Sequence, residues 1–231
     1  MKNLKKVFAI TLLLIFLGTA IGFSQPDLIP YRKGDKWGFC DRNKNIVIPI
    51  KYDGVGFFSE GLALVELNDK YGFIDKEGKE VIPIKYDDAW SFSEGLAKVK
   101  LNDKYGFIDK EGKKVIPIKY DRAWDFSEGL AKVELNGKWG FVDKEGKEVI
   151  PIKYDYVEDF REGLVRVNIG GKLDEMGIVR GGKWGFVDKA GKEVIPIKYD
   201  DAWDFEEGLA KVELNGKWGY IDKNGTEYWD D

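Results

Sequence analysis

From residue 28 onward, apolar and polar residues alternate in short runs with a period of two, and no stretch carries the 3.6-residue period of a helix. In LAKVKLN (96–102), Ala97, Val99 and Leu101 alternate with Lys98 and Lys100, the pattern of a half-buried strand with a solvated face. In VIPIKYD (81–87), Ile82, Ile84 and Tyr86 face one way and Val81, Pro83 and Lys85 the other. Proline cannot donate to a ladder, so Pro49, Pro83, Pro117, Pro151 and Pro196 are expected at an edge or with the N–H side unpaired. The pairs Asn136-Gly137 and Asn215-Gly216 between such runs are hairpin signals. The pattern predicts an all-β chain.

The same grammar is written repeatedly. An aromatic-Gly-aromatic segment (YGFIDK, 71–76) leads through the turn EGK (77–79) to VIPIKYD (81–87). An irregular stretch, DAWSFSEG (88–95), then precedes LAKVKLN. Units start at Trp37, Tyr71, Tyr105, Trp139, Trp184 and Trp218, at spacings of 34, 34, 34, 45 and 34 residues. Residues 71–104 and 105–138 are identical at 29 of 34 positions. The long spacing marks an insertion of 11 residues, placed at about 168–181 and expected as a hairpin extension. Residues 28–36 supply a leading third segment, and 217–231 a first segment with the start of a second. The expected fold is a tandem array with about three antiparallel strands per unit of roughly 34 residues, open and twisted as a solenoid. The alternative is a closed, propeller-like ring whose termini share one blade. The Asp after each Tyr (Asp53, Asp87, Asp121, Asp155, Asp200) is expected to cap the turn that follows it.

The composite motif, carried by KWGFVDKEGKEVIPIKYD (138–155) and its five relatives, resembles the WG-repeat family, named for its Trp-Gly pair. The resemblance covers about residues 28–231. Tyr71 and Tyr105 replace Trp, Cys40 replaces Ile or Val, and the fourth unit is lengthened. Membership implies a bacterial, often exported β-repeat protein of variable copy number without a general activity. It implies no catalytic residues.

Residues 1–24 read differently: Lys2, Lys5 and Lys6, then an apolar run from Val7 to Phe23, with small residues Gly22 and Ser24 before Gln25. This is the pattern of a cleaved secretory signal, which puts residues 25–231 in the periplasm, at the cell surface or outside the cell. A membrane association is expected only if the segment stays uncleaved. The 37 basic and 41 acidic residues give a net charge of −4, or −7 without the three leading lysines. That balance argues against a nucleic-acid partner, which needs a basic surface. Zero histidine excludes Ser-His-Asp and Cys-His catalysis and histidine metal sites, and a single Cys40 excludes an internal disulfide. No metal or cofactor is expected, and no phosphate-cradling loop is present.

Positions that differ between repeats are where function specific to this chain could reside. One slot holds Trp90, Trp124 and Trp203 but becomes Gly56 and Glu158 elsewhere, so it is expected to be at least partly exposed. Aromatics beside carboxylates suit sugar stacking or cation binding; the competing reading is a Trp packed as a lid on its own repeat. The insertion, with Met176 among its apolar residues, is a second candidate because insertions in repeat arrays tend to fall on one face. Ligand-binding candidates are therefore Trp90, Trp124, Trp203, Glu158 and Met176. The expected function is an exported, non-enzymatic scaffold that binds a protein partner. A carbohydrate or cell-wall binding array is the alternative. A glycosidase using Asp125, Glu128 and Glu94 stands third, because similar carboxylates recur in several units.

Overall fold

The computed structural model describes residues 28–229, and every regular element among them is a β-strand. The segment expected as an export signal lies outside the described residues.

The strands form six antiparallel sheets in chain order, with a further two-stranded hairpin (Lys172–Leu173 and Val179–Arg180) inserted in the fifth. The first has three strands: Ile29–Lys33, Lys36–Cys40 and Ile46–Tyr52. The second runs Gly54–Ser59, Leu62–Leu67, Lys70–Ile74 and Glu80–Tyr86. The third is Asp88–Ala89, Ala97–Leu101, Lys104–Ile108 and Lys114–Tyr120. The fourth is Arg122–Ala123, Leu130–Leu135, Lys138–Asp143 and Glu148–Tyr154. The fifth is Tyr156–Val157, Leu164–Ile169, Lys183–Asp188 and Glu193–Tyr199, and the sixth Asp201–Ala202, Leu209–Leu214, Lys217–Asp222 and Glu227–Trp229. Among the described residues no strand of the first sheet pairs with one of the sixth, so the array is open and no blade is shared between its ends.

Five sheets hold four strands where alternation predicts about three. The extra strand is only two residues long in four of them, too short to show a period. It lies inside the stretch read as irregular. Backbone bonds seat it: Asp87 N–H donates to Lys100 O (2.9 Å) and Trp90 N–H to Lys98 O (3.0 Å).

The turns follow the chemistry of their residues. Asn102 and Asp103 both have positive φ, the requirement of a tight two-residue hairpin turn. Asp87 does not cap the turn that follows it. Its Oδ2 accepts the N–H of Asn102 (2.6 Å) and its Oδ1 the ammonium of Lys70 (2.6 Å), so it pins the hairpin 15 residues on. Those two donors hold its carboxyl below the usual range. Asp53, Asp121, Asp155 and Asp200 make the same bonds. The other repeated Asp caps the EGK turn: Asp75 Oδ1 accepts from Glu77 N–H (3.1 Å) and Lys79 N–H (2.8 Å). Asp222 does this at Asn224-Gly225, so that segment is a hairpin turn.

Proline sits on an edge strand in each of the first five sheets, as its missing donor requires. The register between Lys104–Ile108 and Lys114–Tyr120 shifts around Pro117 and Ile118, so this strand bulges toward Gly106. A Cβ at Gly106 would lie 2.7 Å from Ile116 O and from Ile118 Cα, which is why a glycine follows the aromatic.

The core lies between sheets. Phe73 and Ile82 of the second sheet meet Phe92, Ala97, Val99 and Ile108 of the third, all buried, and the later interfaces repeat this. Cys40 is buried at the position held elsewhere by Ile or Val.

The last sheet is fastened differently. Tyr199 Oη donates to Glu227 Oε1 (2.6 Å), Lys198 Nζ lies 2.7 Å from the same oxygen, and Trp229 Nε1 donates to Oε2 (2.9 Å). Lys198, Tyr199 and Trp229 together pull the Glu227 carboxyl down to about 2, and burial with the Glu227 bond raises the Tyr199 phenol. A depressed carboxyl stabilises the fold above its unfolded pKa near 4.5, and this contribution disappears as pH falls from there toward 2. Glu227→Gln is expected to cost about 1 kcal/mol at pH 7, the shift being discounted for partial exposure, and little at pH 2. Urea unfolding at the two pH values checks this; an equal loss at both would refute it.

Candidate functional site

The strand written LAKVKL presents one side chain to the next sheet beside the aromatic that follows the Gly of the neighbouring strand. In register these pairs are Leu64 with Phe73, Lys98 with Phe107, Lys132 with Phe141, Arg166 with Phe186 and Lys211 with Tyr220. Each of the first four receives two consecutive residues from the following sheet. The Lys98 ammonium meets Asp125 (3.1 Å) while Phe107 packs on Phe126 (ring centroids 4.9 Å apart). Lys132 meets Asp159 (2.7 Å) with Phe141 on Phe160 (5.1 Å), and Arg166 meets Asp204 (3.4 Å) with Phe186 on Phe205 (4.8 Å). Where the strand carries Leu64 instead of a cation, Ser91 replaces the Asp and Phe73 packs on Phe92 (4.9 Å).

Alternation puts Lys98 on a solvated face, yet it is only 8% exposed. Period two says which side a residue faces, and here that side is covered by the next sheet. The signal for the joint was present in the sequence, because Lys98 goes with Asp125 whereas Leu64 goes with Ser91.

A second tie runs beside the first. Glu60 accepts from Gly95 N–H (3.1 Å) and pairs with Lys110 (2.9 Å), and Glu94 does so with Gly129 (3.2 Å) and Lys144 (3.0 Å). Glu162 takes Gly208 and Lys223, and Glu128 takes Lys189. Glu94, Glu128 and Asp125, the carboxylates considered for glycoside hydrolysis, are thus each held by a lysine of a neighbouring sheet.

The tryptophan slot lies over these cations. The Lys98 ammonium is 4.1 Å from the Trp90 ring centre, Lys132 4.9 Å from Trp124 and Lys211 5.1 Å from Trp203. Each indole also leans on the aromatic of the repeat's aromatic-Gly pair: Trp90 on Tyr105, Trp124 on Trp139 and Trp203 on Trp218. Trp90 is half-buried, whereas Trp124 is 42% and Trp203 56% exposed. In the fifth sheet Glu158 occupies the slot and binds Arg166 (3.0 Å), whose guanidinium lies 4.6 Å from the Trp184 ring centre.

The insertion forms a hairpin, with Lys172–Leu173 paired to Val179–Arg180. Buried Asn168 anchors its base, accepting from Gly171 N–H (2.8 Å) and donating from Nδ2 to Gly181 O (3.2 Å). Asp174 caps its tip, accepting from Met176 N–H and Ile178 N–H (2.9 Å each). Those bonds, the Ile178 amide first and the Arg180 guanidinium with it, hold its carboxyl below the usual range. Leu173, Met176 and Ile178 are exposed. Between hairpin and array lies an open groove of about 350 Å³ lined by Glu158, Arg166, Ile178, Arg180 and Trp203 among others. The structure brings Glu158 and Trp203 to this groove. Trp124 lines a separate groove above the fourth sheet, Trp90 belongs to the third sheet, and Met176 stands at the hairpin tip without lining the groove. The five candidates do not converge on one site. Among the described residues no group of three or more Asp, Glu or Cys is placed to hold a metal, and no helix is long and apolar enough to cross a membrane.

The family model described as WG containing repeat matches residues 37–71, 71–105, 105–139, 139–172 and 184–218. The chain is a WG-repeat protein. Its repeat joints and hairpin are therefore features built on that family's unit. No protein with a curated description matches the sequence. Among solved structures, a eukaryotic initiation factor is 14% identical over 89% of this chain and 63% of that one, at a TM-score of 0.44. The chain thus spans less than two thirds of that protein. Kluyveromyces lactis Hsv2p is 11% identical over 86% and 72%, at 0.41. The extracellular domain of a one-component system from B. thetaiotaomicron is 10% identical over 89% and 33%, at 0.32.

Proposed function

We propose that this WG-repeat protein is an exported, non-enzymatic scaffold that holds a protein partner on the face carrying the hairpin. The observation that supports it most is the one insertion that lengthens a repeat. The hairpin offers exposed Leu173, Met176 and Ile178 beside a groove with both arginine and carboxylate, a mixed apolar and charged surface of the kind protein partners use. Polar groups elsewhere are written into several repeats and tied to one another, which is how a framework is made rather than a reaction centre. Export rests on the basic start and apolar run of residues 1–24.

Deleting 171–181 rejoins Gly170 to Gly182 and restores the 34-residue spacing. The variant is expected to unfold within about 0.5 kcal/mol of the parent, since loop length contributes little to stability. It is also expected to lose a partner that the parent retains in cross-linking from envelope extracts. Equal retention by both proteins would remove the hairpin from the function.

The exposed rings of Trp124 and Trp203 favour a second reading, an array that binds glycans through several weak stacking contacts. Co-sedimentation with peptidoglycan and insoluble polysaccharides, lost when Trp90, Trp124 and Trp203 are all changed to Ala, would support it. Absence of binding by the parent would end it.

A further inference from the structure

The sixth sheet ends the described array with a complete but unfilled joint. Lys211 stands in register with Tyr220 as Lys98 does with Phe107, and Glu207 occupies the place of Glu94. In the joints that Lys98 and Arg166 make, all three groups engage one pentapeptide of the next sheet. The cation takes the first residue, the aromatic ring the second and the glutamate the N–H of the fifth. At the third sheet these are Asp125, Phe126 and Gly129; at the fifth they are Asp204, Phe205 and Gly208.

At the sixth sheet Lys211 lies over Trp203 and Trp218 without a carboxylate among the described residues. Tyr220 is 49% exposed, while Phe39, Phe73, Phe107, Phe141 and Phe186 are at most 4% exposed. Leu209 and Trp218 are also exposed, although Leu96, Leu164, Trp139 and Trp184 in the same places are buried. The chain contains Asp-Phe only at 125–126, 159–160 and 204–205, and each pair is already seated in a joint. A second copy therefore has no free segment of this kind to offer.

We infer that the socket formed by Lys211, Tyr220 and Glu207 binds a partner protein through an exposed Asp-Phe-x-x-Gly segment. The segment is held as the array holds its own repeats. Its Asp pairs with the Lys211 ammonium, its Phe packs edge-on against Tyr220, and its Gly N–H donates to Glu207. The socket rests on the protein-binding reading above and gives the chemistry of a partner site distinct from the hairpin.

The probe is a fluorescently labelled peptide with the sequence of residues 121–132 (DRAWDFSEGLAK), titrated against the whole protein by anisotropy. Saturable binding is expected. It should weaken at least about tenfold, or about 1.4 kcal/mol, with Lys211→Glu or Tyr220→Ala in the protein, and likewise with Asp125→Asn or Phe126→Ala in the peptide. Lys211→Glu should regain binding to a peptide carrying Asp125→Lys, a rescue that a misfolded variant could not give. No saturable binding at millimolar peptide, or binding indifferent to these changes, overturns the proposal. So does a concentration-dependent dimer that Tyr220→Glu dissolves, which would give the face to a second copy. The hairpin deletion separates the two readings. If the peptide fails while hairpin-dependent capture persists, the socket alone is refuted; if both fail, so is the scaffold.

Discussion

Gly106→Ala is expected to destabilise the protein by about 3 kcal/mol, far more than an added methyl costs at an ordinary strand position. The new Cβ would press into backbone, 2.7 Å from Ile116 O and Ile118 Cα and 2.8 Å from Ile118 N. A flexible side chain could turn away, but here the bulged edge strand must move. That strand carries Ile116 and Tyr120, both buried against the fourth sheet, so the strain reaches the core between two repeats. In a stacked array each sheet is supported only by its neighbours, so damage in the third also loosens the second and the fourth. Gly61→Ala is the control. Its φ of +93° makes alanine unfavourable, but nothing lies within 4 Å of its Cβ, and the expected loss is about 1 kcal/mol. Urea unfolding of the two variants followed by Trp fluorescence decides. If Gly106→Ala is no worse than Gly61→Ala, the aromatic-Gly pair is not there for close approach.

Much of this fold was legible because the sequence repeats itself. Alternation in LAKVKL and VIPIKY marks strands, Asn136-Gly137 marks a hairpin, and Pro83 marks an edge. The two-residue strand at Asp88–Ala89 was not legible, since its seat is made by backbone bonds from flanking residues, which any side chain permits. Asp87 misled because a local turn is the nearest use for an Asp, whereas its real partners stand 15 and 17 residues away. Lys98 misled for a deeper reason. Alternation separates the faces of a sheet but not solvent from a second sheet, and only the comparison of Lys98 and Asp125 with Leu64 and Ser91 carries that information. The slot of Trp90, Trp124 and Trp203 was visible as variable. That the indoles lie over lysines, Lys98 of them buried, was not.

The same comparison yields the second large effect. Asp125→Ala should cost about 2 kcal/mol, because it leaves the Lys98 ammonium covered by the fourth sheet with only the Trp90 ring as a partner. The full penalty for orphaning a buried charge is larger, about 3–5 kcal/mol, but the Asp125 side of the joint is open to water. Lys98→Met should be far milder, below about 1 kcal/mol. It keeps the packed stem of the side chain, and the exposed Asp125 carboxylate returns to water. The joint between the second and third sheets already shows an uncharged solution, Leu64 with Ser91 in the corresponding places. Lys98→Leu with Asp125→Ser should therefore recover most of the loss and unfold within about 1 kcal/mol of the parent, a strongly non-additive cycle. Thermal and urea unfolding of the parent, Lys98→Leu, Asp125→Ser and the double variant measure that coupling. A double variant as unstable as the sum of its singles would mean that the charged joint is not interchangeable with the apolar one. Recovery would identify the Lys98–Asp125 pair as a means of matching one repeat to the next, since the apolar pair would hold the sheets equally well.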